Sequence, residues 1–157
     1  MEPIFIMLPV VIFPVFFIAI WIFVCFILSR VGGWGKLAQV YRYGGKFNGK
    51  RWRFRSCRMN GFVNYNNCLT FGGNPEGLYI NILAIFRFQH SPLLIPWSEI
   101  KEEKTKGIIF EYRELSFARV PNVKMRINAS LAEEIRHGQS QPEGNDVYRA
   151  YKKIEPH

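Results

Sequence analysis

The sequence predicts a single membrane-crossing helix at the N-terminus followed by a mainly-β domain, an antiparallel barrel or sandwich capped by a C-terminal helix. Three observations predict it. Residues 3–28, PIFIMLPVVIFPVFFIAIWIFVCFIL, run for 26 residues without a charge. From residue 50 onward, short runs of β-branched and aromatic residues alternate with Gly, Asn and Pro turn signals. After those runs, Ser130 followed three residues later by Glu133 has the form of a capping box, and the segment ends in His137-Gly138 as a helix C-terminus should.

The apolar segment is long enough to span. At 1.5 Å per residue, 26 helical residues reach about 39 Å against a hydrocarbon core of about 30 Å. Pro9 and Pro14 each remove a backbone hydrogen bond inside a helix, so a kink or a start near Pro9 is expected, with the span at about 8–28. A cleaved signal peptide has a basic n-region, a shorter apolar stretch and a small-residue cleavage site, and this segment has none of them. It reads as a retained anchor, residues 1–30. The basic residues that follow place the C-terminal part in the cytosol of a single-pass cell-membrane protein, with the N-terminus outside.

The formal net charge of +9 comes from 21 Lys and Arg against 12 Asp and Glu, and its placement is uneven. Between Arg30 and Cys68 stand nine basic residues and no acidic one, whereas the remainder of the chain is nearly balanced. A collar of charge next to an apolar span fits a membrane orientation signal, and it argues against nucleic acid as the partner. In the juxtamembrane segment 31–49, Trp34, Leu37, Ala38 and Tyr41 share one helical face between glycines. Two readings stay open for this short helix: it lies at the headgroup level, or its stripe packs on the domain. Next, KRWRFRSCRM at 50–59 alternates as a strand with Arg51, Arg53, Arg55 and Cys57 on one face and Trp52, Phe54, Ser56 and Arg58 on the other.

Further strands are expected at 61–65, 68–71, 77–83, 93–97, 107–113, 115–120 and 123–128, and the glutamates at 99, 102, 103, 111 and 114, clustered with Lys101, Lys104, Lys106 and Arg113, read as a solvated mixed-charge edge. Residues 50–137 then form the β domain with its capping helix. A polar C-terminal tail occupies 138–157, in which VYRAYKKI adds a helical turn or two. The runs GLYINILAIFRF at 77–88 and PLLIPWSEI at 92–100, with Ile95, Pro96, Trp97 and Ile100 in an "IPW-x-x-I" pattern, carry a resemblance. In these features the chain resembles the pleckstrin-homology-like (PH-like) superfold, including its bacterial and GRAM-type members, and small bacterial membrane proteins with one anchor and such a domain. The resemblance implies an antiparallel barrel or sandwich of seven or eight strands, capped by a C-terminal helix, over residues 50–137. No residue of the phosphoinositide-type basic motif of the first hairpin is matched, so a lipid ligand does not follow from fold alone.

The sequence carries no recognisable catalytic or metal motif. Cys25, Cys57 and Cys68 form no CxxC, and His90, His137 and His157 are isolated in sequence. No phosphate-binding loop, dinucleotide fingerprint or nucleophile elbow is present, and Gly72-Gly73-Asn74-Pro75-Glu76-Gly77 precedes a strand, as a hairpin turn does. The expectation is a non-enzymatic protein without a cofactor. Its PH-like domain is presented at the inner leaflet for lipid-headgroup or protein binding. The expected lipid contacts are Arg30, Trp34, Lys36, Tyr41, Arg42, Lys46, Lys50, Arg51, Arg53 and Arg55. A membrane-dipping or partner-binding tip is expected at Phe86, Arg87, Phe88, Leu93 and Leu94. The partners are anionic inner-leaflet lipids and other membrane proteins; the alternative is a scaffold subunit of a larger membrane complex. A membrane-tethered enzyme using Cys68 or one of the glutamates at 99–114 ranks third.

Overall fold

A computed structural model describes residues 4–139. Helix α1 (Ile4–Val31) is followed after two glycines by α2 (Trp34–Tyr41), then by seven strands and a closing helix. The strands are β1 (Lys50–Met59), β2 (Val63–Gly73), β3 (Gly77–Ile82), β4 (Leu93–Pro96), β5 (Ile100–Lys106), β6 (Glu111–Phe117) and β7 (Val120–Asn128), and the helix is α3 (Ala129–Gln139). Short 3-10 turns at Ala84–Phe86 and Trp97–Glu99 flank β4.

Helix α1 begins at Ile4 and continues through both Pro9 and Pro14, four residues before the expected start. It is long and apolar enough to cross a membrane. From Val10 to Val24 every large apolar side chain is exposed to the surroundings of the protein, on all sides of the helix. Below that level one face is taken up by the protein: Cys25 and Ser29, one helical turn apart, are buried.

The strands form one antiparallel sheet in the order β4-β3-β2-β1-β7-β6-β5. Strands β1 to β4 pair consecutively, as do β5 to β7, and only β1 with β7 joins the two runs, through Arg58↔Arg126 and Met59↔Met125. Elsewhere β1 leaves β7, so the sheet splits into a four-stranded and a three-stranded half. The space between them is filled by Leu69, Phe71, Leu78, Ile80, Leu115, Phe117, Met125 and Ile127. The free edges β4 and β5 remain unpaired with each other. Helix α2 lies at this gap, where Arg42 bridges to Leu93, the Tyr43 amide donates to the Pro92 carbonyl, and the Tyr41 hydroxyl donates to Glu99 Oε2 at 2.6 Å. Helix α3 covers the far end, Ile135 meeting Gly73 and Gly138 lying against the Trp52 ring.

Four differences from the sequence reading have physical causes. The two runs at 61–65 and 68–71 are one strand, β2, because Asn67 takes a left-handed conformation (φ 50°) and carries the chain through a bulge. The charged segment 99–106 is largely strand: β5 lacks apolar alternation and is held by its full register with β6. The expected strand over 107–113 is instead the β5–β6 turn followed by the start of β6, closed by the Gly107 amide on the Phe110 carbonyl. The helix cap is Asn128, whose Oδ1 accepts from the Ser130 amide at 2.9 Å, so Ser130 lies inside α3 and the Ser130–Glu133 box does not form the cap. The expected helical turn in VYRAYKKI lies outside the described residues.

Candidate functional site

Strand β1 does not keep the alternation expected of it. Its register with β2 shifts twice between Trp52 and Cys57, and Phe54 adopts φ 55°, a left-handed conformation costly for an aromatic residue. The shift exchanges the faces: Trp52 is buried before it, and Cys57 and Met59 after it. Arg51 and Arg53 consequently stay on the outer face of the β1-β2-β3 half, with Phe54 turned outward beside them. On the neighbouring strands lie Thr70 of β2 and Asn81 of β3, which pair with each other and share a groove lining with them.

These side chains and Arg87, from the turn after β3, line a groove of about 260 Å³. Its lining contains three arginines and no carboxylate. Arg51 is held by the Phe47 carbonyl and lies over the Phe47 ring. The guanidinium groups of Arg53 and Arg87 have no hydrogen-bond or ion-pair partner among the described residues, the bonds of the 84–90 turn being made by the Arg87 backbone. Sequence reasoning named Arg87 and the Arg51–Arg53 pair separately. Only the β1-β2-β3 register brings residues 34 positions apart to one groove.

The other expected contacts are distributed differently. Trp34, fully buried, and Tyr41 pack on the domain, so the α2 stripe belongs to its core and neither ring reaches a headgroup. Arg42 is fixed to Ser91 Oγ at 2.8 Å, and Arg55 is paired with Glu134 of α3 at 3.0 Å, away from the groove. Lys36 and Lys46 are exposed, and Lys50 lies over the Trp52 ring. Arg30 is exposed and lies over the Phe26 ring of its own helix. Leu93 is fully buried in β4 and Leu94 half-buried, so neither belongs to an exposed tip: their alternating strand pattern puts Leu93 into the core. Of the expected tip Phe86, Arg87 and Phe88 remain, and the structure adds Ile85, which is 65% exposed beside Phe88 at 49%.

That tip is attached to α1. The Trp21 indole N–H donates to the Ile85 carbonyl at 3.2 Å and its ring meets Phe86 at 5.1 Å; two turns lower, Ser29 Oγ donates to the Gln89 carbonyl at 2.8 Å. Beneath lies a buried polar cluster. His90 faces the Tyr65 hydroxyl at 3.1 Å and the Phe88 carbonyl at 3.1 Å, with the Trp34 ring edge-on at 5.3 Å. Burial pushes the His90 imidazole below its ordinary pKa.

Elsewhere the titratable groups are engaged in pairs. Arg119, with help from the Tyr41 hydroxyl, holds the Glu99 carboxyl below its usual range, and Lys124 and Arg126 do the same for Glu114. Glu102 receives Arg113 at 3.0 Å and Arg136 at 2.8 Å. Burial raises the Cys68 thiol, opposite to what a nucleophile needs, and raises the fully buried Cys57 further. No group of three or more His, Cys, Asp or Glu able to hold a metal occurs among the described residues. A second cavity, of about 210 Å³, opens between Leu78 of β3, Trp97, the strands β5 to β7 and α3; its lining is mostly apolar and carries the Glu102–Arg136 pair.

Comparison with family models, curated proteins and solved structures finds no match to this chain.

Proposed function

We propose that the protein is a non-enzymatic, single-pass membrane protein whose PH-like domain is held at the inner leaflet and binds there a lipid headgroup or another protein. One observation carries this reading: the last turns of α1 are part of the domain's own packing. Cys25 and Ser29 are buried against it, and Trp21 and Ser29 donate to its backbone. A removed leader would strip those contacts from the domain and expose Tyr65, whose hydroxyl donates to the Leu28 carbonyl. The seven antiparallel strands, the split sheet and the closing helix are the features that support the PH-like assignment. The basic collar supports the cytosolic orientation.

Alkaline carbonate extraction combined with protease access to a C-terminal tag tests the reading. The protein should remain in the membrane pellet, and the tag should be cut only after permeabilisation. Release by carbonate would remove the anchor, and cleavage in intact cells would reverse the orientation.

A second reading, a subunit of a larger membrane complex, is favoured by the β5–β6 turn. Ile108, Ile109 and Phe110 are all exposed there, Ile108 completely, on a hairpin edge that covers nothing among the described residues. Crosslinking that returns only monomer would count against it.

A further inference from the structure

We propose that the turn at residues 84–89 is a second membrane contact and that the arginine groove beside it seats the phosphate of an anionic lipid. This deepens the reading of α1 as a retained anchor and rests on it. The depth follows from helix length. The 28 residues of α1 reach about 42 Å, roughly 12 Å more than the hydrocarbon core, a surplus of about eight residues. That surplus belongs at the C-terminal end, where Cys25 and Ser29 are buried against protein and Arg30 is charged. The hydrocarbon boundary therefore falls near Trp21–Val24, at an indole, the side chain that favours this level.

Trp21 is also the residue that holds the turn, through the Ile85 carbonyl and the Phe86 ring. Ile85 and Phe88 thus continue the lipid-facing surface of the anchor sideways, and their exposure becomes contact with the acyl boundary. Arg87 stands on the same turn and in the wall of the groove, with Arg51 and Arg53 opposite. Three guanidinium groups with no carboxylate in the lining repel one another until an anion enters. Their planar forks match phosphate oxygens, and Thr70 and Asn81 add neutral donors. Because Ala84 and Arg87 line the groove while the same turn rests on the anchor, the phosphate supplied there is that of a lipid.

Native mass spectrometry of the full-length protein in detergent, with phosphatidylglycerol or phosphatidylcholine added, reads the groove. One phosphatidylglycerol should be retained in preference to phosphatidylcholine. The double variant Arg53→Ala/Arg87→Ala should weaken retention about 30-fold, at about 1 kcal/mol per arginine near the surface. Lys101→Ala/Lys104→Ala should leave it unchanged. Equal retention by the arginine variant overturns the site, and inorganic phosphate binding as tightly as the lipid reassigns it to a free anion. The turn is read in vesicles by an environment-sensitive fluorophore on Ile85→Cys in a Cys68→Ser background, compared with the same label on Phe17→Cys. Quenching of both from the lipid side supports the proposal. Quenching from water at position 85 alone overturns the turn as a membrane contact while the anchor stands, and quenching from water at both positions removes the anchor reading with it.

Discussion

Replacing Gly33 with alanine should uncouple α1 from the domain. Gly33 sits at φ +82° between α1 and α2, and its carbonyl accepts from the Lys36 and Leu37 amides to start α2. An added Cβ would stand 2.6 Å from Val123 Cγ2 and 3.1 Å from Cγ1, and Val123 is fully buried. The left-handed backbone costs an L-residue about 1–2 kcal/mol, and forcing a methyl into a packed core adds about 1–3 kcal/mol. The sum, about 2–5 kcal/mol, is a large share of the stability of a small domain. Two other glycines separate the contributions. Gly61 has φ +80° with nothing within 4 Å of its Cβ position, so Gly61→Ala should lose only the backbone part, about 1–2 kcal/mol. Gly44 is open and has an ordinary φ, so Gly44→Ala should be neutral or stabilising by about 0.4–1 kcal/mol. Denaturant unfolding of the full-length protein in mild detergent, followed by tryptophan fluorescence, measures all three. If Gly33→Ala is no more destabilising than Gly61→Ala, the close packing of this junction on Val123 is wrong.

Other outcomes follow from the buried and paired groups. His90 is held below its unfolded pKa, so between its folded value and about 6.5 the unfolded chain binds more protons; stability should fall as pH drops through 6.5 and level off below the folded value, and a pH series in which His90→Gln shows the same slope would refute this. Iodoacetamide at neutral pH should modify Cys68 slowly and Cys57 only after unfolding, since burial raises both thiols and Cys57 is fully enclosed; intact-mass measurement showing fast labelling of Cys57 in the folded protein would contradict its placement. Ile109→Ser, at the exposed β5–β6 turn, should change stability by less than about 0.5 kcal/mol and should abolish co-purification of a partner if the complex-subunit reading holds.

The parts of the fold legible in sequence are those whose signal is local. An uncharged run of anchor length needs no partner to be recognised, and most strands of the domain announce themselves by alternation and turn residues. Strand β5 did not, since IKEEKTK is specified by pairing with β6 and by ion pairs such as Glu102 with Arg113 and Arg136, all of them long-range. Nor did the face exchange in β1, because Phe54 in a left-handed conformation has no local signature comparable to Asn or Gly. The Trp34 stripe was ambiguous in principle: a tryptophan suits a headgroup layer and a core equally, and only its hydrogen bond to the Ser91 carbonyl and its contact with His90 decide between them. The groove was half legible. Arg51 and Arg53 stood out as part of a basic block, but the block is not one surface, since Arg55 is drawn to Glu134 and Arg42 to Ser91.

Only two residues, Gly32 and Gly33, separate α1 from the first helix of the domain. A domain on a long flexible leash searches a hemisphere of cytosol and meets the bilayer only part of the time. With this junction, and with Trp21 and Ser29 fastened to the 85–89 segment, the domain has no leash to pay out. On the proposed reading of α1 as an anchor, the groove stays at a fixed height over the bilayer, so its search is two-dimensional and limited to the patch beneath the domain's own footprint. A ligand of such a groove would have to diffuse to it within the membrane or arrive at that fixed height.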